Sequence, residues 1–194
     1  MDMPLDAMTD VSDEALLVLF ANGDQMAARA LTLRFTPKVM AHAYRLLGNH
    51  AEAEDVTQES MLRLWKIAPD WRQGEAKIST WLYRVVANLC TDRLRRKPGL
   101  ALDAVPEPED NAPGVTERIQ DHTREVALQK ALNQLPERQR QAVVLRHIEG
   151  LTNPEIAAIM EISTEAVESL TARGKRTLAA KLAGQRNELG YSDD

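Results

Sequence analysis

LPERQRQAVVLRHIEGLTNPEIAAIMEISTEAVESLTARGKRTL, residues 135–178, is the stretch that decides the fold. Pro136 suits the first turn of a helix whose buried side carries Ala142, Val143, Leu145 and Ile148, and Gly150 ends it. Thr152-Asn153-Pro154-Glu155 then spells a capping box, with Thr152 as N-cap and Glu155 reaching back from three residues on. A short helix over 154–160 places small Ala157 where another helix can come close. After the turn Glu161-Ile162-Ser163, a last helix runs over 164–183 and carries cations in its second half. Two helices joined by so short a turn match the helix-turn-helix, whose second helix enters the DNA major groove. A plain helical hairpin in a bundle has the same spacing, so periodicity leaves both readings open.

Upstream the pattern is helical too. Leu16, Leu17, Leu19 and Phe20 open an amphipathic segment ending near Asn22-Gly23. A second covers 24–47, stopped by Gly48-Asn49, and Pro37 inside it predicts a kink or a break. A third covers 51–67 with Val56, Met61, Leu62 and Trp65 as its apolar stripe. A fourth starts near Ser79 and carries Trp81, Leu82, Val85, Val86, Leu89 and Cys90 at helical spacing. The expected fold is all-α: two small helical domains, over 11–97 and 118–186, joined by a flexible acidic linker over 98–117 that is rich in Pro and Gly. Residues 1–10 read as a disordered N-terminus and 187–194 as a tail.

Charge narrows the function. The net charge of −5 argues against a chain that binds nucleic acid unaided, since phosphate contacts need clustered cations. Yet cations do cluster: Arg84, Arg93, Arg95, Arg96 and Lys97 face only Asp92 in one stretch, and Arg173, Lys175, Arg176, Lys181 and Arg186 form a second. Two basic patches on an acidic frame imply DNA contact that relies on another body for affinity. No apolar run is long enough to span a bilayer and no signal peptide is visible, so no membrane role and a cytoplasmic location are expected. No enzyme and no cofactor are expected either. His42, His50, His122 and His147 are scattered, no metal-ligand spacing occurs, no phosphate loop is present, and Cys90 continues an apolar stripe.

LNQLPERQRQAVVLRHIEGLTNPEIAAIMEIS, residues 132–163, resembles the fourth conserved region of extracytoplasmic-function RNA polymerase sigma factors. AEDVTQESMLRLWK (53–66) and GEAKISTWLYRVVANLCTDRLRRK (74–97) resemble the second region of the same family. The resemblance implies an alternative sigma factor that binds core RNA polymerase and directs promoter recognition and transcription initiation, in a stress response and under an anti-sigma factor. It places Asp55, Gln58 and Glu59 against the β′ clamp helices, with Gln58 and Glu59 expected to project from the helix face opposite Val56 and Leu62. The β flap is the implied partner of the second domain.

For the minus-ten element the resemblance implies Trp71, Lys77, Ser79, Arg84, Asn88, Arg93, Arg95, Arg96 and Lys97. The loop over 71–79 would capture a flipped base. Asn88 would read a base edge, one turn from Arg84 on the same face. Arg93, Arg95, Arg96 and Lys97 would hold phosphates, which position without specifying. For the minus-thirty-five element it implies Thr164, Glu165, Glu168, Ser169, Arg173, Lys175 and Arg176. Some anti-sigma partners in this family carry zinc; no metal site is expected in this chain.

The recognition helix departs from the family. Glu168 and Leu170 stand where Lys or Arg is common, and Glu161 stands where a turn glycine is usual, at a cost of about 1 kcal/mol if left-handed. A sigma-like decoy that binds an anti-sigma but not a promoter would tolerate these residues. A stand-alone helix-turn-helix repressor is the other rival; the acidic net charge and the polymerase-docking match count against it.

Overall fold

The computed structural model describes residue 8 and residues 10–74, 76–96 and 115–183, with the side chains of 115–122 excepted. The expected N-terminal segment (Met8 and Asp10 apart), the linker as far as 114, the tail over 187–194, Lys97 and Arg186 lie outside the described residues, as does the His122 side chain. Among the described residues every regular element is helical, as the periodicity predicts.

The first three helices each begin on a side chain that takes orphan backbone N–H groups. The Ser12 hydroxyl accepts from Ala15 N at 3.3 Å and opens α1, Asp13–Ala21. The Asp24 carboxylate accepts from Met26 N and Ala27 N at 2.8 and 3.1 Å and opens α2, Gln25–Leu47. The Asn49 side-chain oxygen accepts from Glu52 N at 3.0 Å and opens α3, His50–Ile67. A single 3-10 turn, Ala68–Asp70, leads toward α4, Ile78–Arg96.

Pro37 lies inside a continuous α2, so of the two expected outcomes, a kink or a break, the break does not occur. A proline removes one N–H and crowds the carbonyl four residues back. Here α2 is the central element, packed on α1, α3 and α4, and that burial outweighs the local penalty. Its Leu31, Phe35, Val39 and Leu47 meet Val56 and Leu64 of α3 and Ile78, Leu82 and Val86 of α4. Each such side chain contributes about 2 kcal/mol by leaving water, enough to set which faces dock.

The second block comprises α5 (Val115–Asn133), α6 (Glu137–Val143), a π-turn (Val144–Ile148), α7 (Asn153–Met160) and α8 (Thr164–Ala183). α5 begins inside the stretch read as linker. Thr152 N and the Thr152 hydroxyl donate to the Glu155 carboxylate at 2.9 and 2.8 Å, the interaction expected at the start of α7. Gly174 lets α8 press on α6: a Cβ there would stand 2.5 Å from Val143 Cγ2 and 3.1 Å from the Gln139 carbonyl. Glu161 is left-handed, at φ 54° and ψ 49°, as its place in the turn requires.

The Glu155 carboxyl is lowered to about 2, first by the Thr152 backbone N–H, then by the Thr152 hydroxyl and Lys77. Its ordinary value is 4.5, so the cap is fully present above that pH and lost as pH falls through about 2. Glu155→Ala is expected to lower stability to urea by about 1 kcal/mol at neutral pH, with the gap to wild type closing only in strong acid.

The two blocks do not keep separate cores. Leu132, Leu135, Val143 and Val144 of the second block belong to the cluster built on α2. Conversely Tyr83 of α4 sits in the second cluster with Leu145, Ile156, Ile159 and Val167.

Candidate functional site

α4 carries one face inward and another outward. Leu82, Val86 and Cys90 are fully buried, and burial pushes the Cys90 thiol well up, so it is a small core residue. Arg84, Asn88, Arg95 and Arg96 lie on the exposed face. Arg84 and Asn88 are one turn apart, so an extended strand could touch both. Arg95 and Arg96 end the helix, where the macrodipole favours cations. Trp71, just before the helix, packs edge-on against Trp81 at 5.9 Å between ring centroids. The Trp71 indole N–H is buried without a hydrogen-bond partner. Both tryptophans are half-buried, so Trp81 is a wall for Trp71 as well as part of the stripe.

Arg93 stands apart from its neighbours. It reaches back to α3, donating to Glu52 Oε2 at 2.5 Å and lying 3.6 Å from Asp55 Oδ2. Of the cations expected to form a phosphate ridge, Arg95 and Arg96 are exposed and Lys97 lies outside the described residues. Arg93 ties the end of α4 to the α3 face.

On α3, Asp55 and Gln58 are exposed, and Glu59 accepts from Arg63 Nε at 2.8 Å. Arg63 holds the Glu59 carboxyl below its usual range. Leu62 does not lie opposite them: it is 52 % exposed and shares their face. Four residues separate Gln58 from Leu62, which brings them one above the other, while Val56 alone turns inward. The stripe reading placed Leu62 in the core because it sits beside Met61. Its exposure beside polar groups makes an apolar centre with a charged rim, the composition of a protein-binding patch.

On α8, Glu165, Glu168, Arg173, Lys175 and Arg176 are exposed; Thr164 and Ser169 are half-buried. The Ser163 hydroxyl accepts from Ala166 N at 3.2 Å and caps the helix. The backbone at the helix start, helped by the Ser163 hydroxyl, holds the Glu165 carboxyl below its usual range. Asn153 of α7 donates to Glu168 Oε1 at 3.3 Å, so the two helices of the hairpin hold that carboxylate in place. The cations follow one turn later, giving an acid-then-base order along the helix.

Residues 31–98 match Sigma-70 region 2 and residues 125–178 match Sigma-70 region 4. The ECF RNA polymerase sigma factor SigE of Mycolicibacterium smegmatis is 36 % identical over 182 residues, spanning 90 % of this chain and 70 % of that protein. The chain belongs to the ECF RNA polymerase sigma factors. SigW of Bacillus subtilis, another ECF sigma factor, is 33 % identical over 82 % of this chain and 91 % of its own length. The solved complex of CnrH with the cytosolic domain of CnrY is similar as well. CnrH matches with a TM-score of 0.65 and 25 % identity, over 89 % of this chain and 97 % of that one.

The exposed α4 face and the α3 patch lie within the region 2 match; the α7–α8 hairpin lies within region 4. Sigma factors are transcription regulators rather than enzymes, and their regions 2 and 4 imply core RNA polymerase and promoter DNA as partners. Among the described residues, no group of His, Cys, Asp and Glu could hold a metal ion. No helix there is long and apolar enough to cross a membrane.

Two of the sigma factor's expected minus-ten residues meet acids of the second block. Lys77 Nζ lies 3.1 Å from Glu155 Oε1, and Arg84 Nη1 lies 3.9 Å from Glu161 Oε1. No spacing in the sequence signals those pairs, because their members come from different blocks.

Proposed function

We propose that region 2 of this sigma factor docks on the β′ clamp helices through Asp55, Gln58, Glu59 and Leu62, and reads the minus-ten element through α4 and the loop before it. Asn88 reads a base edge, Trp71 and Ser79 border the flipped base, and Lys77, Arg84, Arg95, Arg96 and Lys97 hold backbone phosphates. Region 4 reads the minus-thirty-five element through Thr164, Glu165, Glu168, Ser169, Arg173, Lys175 and Arg176, while meeting the β flap. The observation that carries this reading is the exposed α4 face, where Asn88 stands one turn from Arg84 and in line with Arg95 and Arg96.

Glu168 can accept from a cytosine amine, and its tether to Asn153 supports that role. An anti-sigma factor acts on this chain in the cytoplasm, a partner whose zinc content the chain does not dictate. The bound CnrY domain on the similar CnrH supports a protein partner of this kind.

Run-off transcription with core polymerase on a pool of promoter fragments tests the reading. Selective initiation that requires this protein, with Asn88→Ala reducing it by roughly tenfold, is the expected result, one base-edge contact being worth about 1–3 kcal/mol. Absence of initiation together with tight anti-sigma binding would identify a decoy instead.

A further inference from the structure

We infer that Asn153 is a positioning residue for the minus-thirty-five contact: it aims the Glu168 carboxylate so that the recognition helix selects cytosine at the base pair Glu168 meets. This rests on the reading of α8 as the minus-thirty-five helix.

Two exposed acids stand in the first half of α8, and their surroundings differ. Glu165 is bent back on the helix start, where its own backbone N–H and the Ser163 hydroxyl hold it. Glu168 is held from another helix. Asn153 Nδ2 donates to Glu168 Oε1 at 3.3 Å, and Oε2 has no partner among the described residues. The residues one turn away on α8 are Thr164, Glu165, Thr171 and Ala172, so no neighbouring cation of that helix neutralises Glu168.

The tether starts from fixed backbone. Asn153 opens α7 directly after Thr152, whose N–H and hydroxyl are tied to Glu155. Ile156 and Ile159 of α7 share a buried cluster with Val167 of α8, the residue before Glu168. A single solvent-exposed hydrogen bond adds little to folding stability, so the effect of this one is on direction. A free glutamate side chain samples many rotamers, and phosphates beside the groove would push its charge off the duplex. The Asn153 amide removes much of that freedom before DNA arrives and leaves Oε2 open.

An ionised carboxylate only accepts hydrogen bonds. Guanine shows it two acceptors in the major groove, and thymine shows an acceptor beside a methyl group. Adenine offers an amine but sets the N7 lone pair next to it. Cytosine offers its N4 amine with no acceptor alongside, and it alone fits. The choice is made as much by rejecting three bases as by attracting one.

Core polymerase loaded with the full chain is tested by run-off transcription on fragments randomised in the upstream element, and the initiating sequences are counted. Wild type is expected to favour cytosine at one upstream position by roughly tenfold. Glu168→Ala should abolish the preference at that position alone. Glu168→Gln should move it to adenine, which an amide matches with donor and acceptor together. Asn153→Ala should cut the cytosine preference to about threefold while thermal unfolding stays at the wild-type temperature. Asn153→Gln, which keeps the amide donor, should restore most of it. A full cytosine preference in Asn153→Ala, or an equal loss at every position, would overturn the positioning role. An upstream preference indifferent to both Glu168 and Asn153 sinks this inference alone. No upstream preference in the wild type sinks the minus-thirty-five reading and this inference with it.

Discussion

Run-off transcription is expected to fall about a hundredfold when Arg95 and Arg96 are both changed to Glu. Each cation at a phosphate is worth about 1 kcal/mol near a surface, and reversal adds a repulsion of similar size. Two reversals sum to about 4 kcal/mol before screening, and ionic strength trims this to about 3 kcal/mol, roughly a hundredfold. Both side chains are exposed at the last turn of α4 and make no part of its core, so the variant should fold. The lost helix-dipole interaction costs only a few tenths of a kcal/mol. Thermal unfolding of the variant close to wild type, with initiation lost, is the expected pairing. The defect should also shrink as salt rises, because a variant with fewer phosphate contacts depends less steeply on salt than wild type does. Initiation at the wild-type level would remove this ridge from the promoter interface.

Arg140→Ala is expected to be the most destabilising single change in the second block, by about 3 kcal/mol in denaturant unfolding. Arg140 is 5 % exposed and lies between two helix ends. Its guanidinium donates to the Leu46 carbonyl near the end of α2, and to the Asn133 and Leu135 carbonyls at and just after the end of α5. The last carbonyls of a helix have no partner within the helix, and a cation there also meets the negative end of the macrodipole. One side chain thus caps two helices and stitches α6 to the first block. Burial lowers the pKa of the guanidinium, yet an arginine starts so high that it remains charged. Alanine would strand three carbonyl groups and leave a void. Arg140→Met fills the void but not the hydrogen bonds, and should recover only part of the loss. Equal stability of wild type and Arg140→Ala would mean that water satisfies those carbonyls.

Local rules were legible in the sequence wherever cause and effect lie within one turn. The capping box of Thr152 and Glu155, the glycine stops at Gly48 and Gly150, and the left-handed Glu161 all follow from side-chain chemistry near the residue concerned. The outward setting of Asn88 and Arg84 followed from their four-residue spacing. Leu62 was misassigned for a related reason: a stripe read by composition counts a leucine as core, while the helix geometry puts it beside Gln58. Pro37 was read by its local penalty alone, which the packing around α2 overrides.

The seam between the two blocks left no such trace. His42 and Glu149, which meet there, are 107 positions apart, and neither stands out from its neighbours. Gly48 reads as a helix stop and is one, at φ 66°. It also serves the seam, since a Cβ there would fall 2.3 Å from the Asn133 side chain. Caps, the hairpin and the outward basic face were legible in the sequence alone, because each depends on residues one turn apart, whose relation is periodic; the start of α5 and the π-turn after α6 were not. The pairing of Lys77 with Glu155, the double cap by Arg140 and the burial of Glu149 were decided only by the tertiary structure. They arise from shape and charge complementarity between distant segments, which no spacing along the chain records.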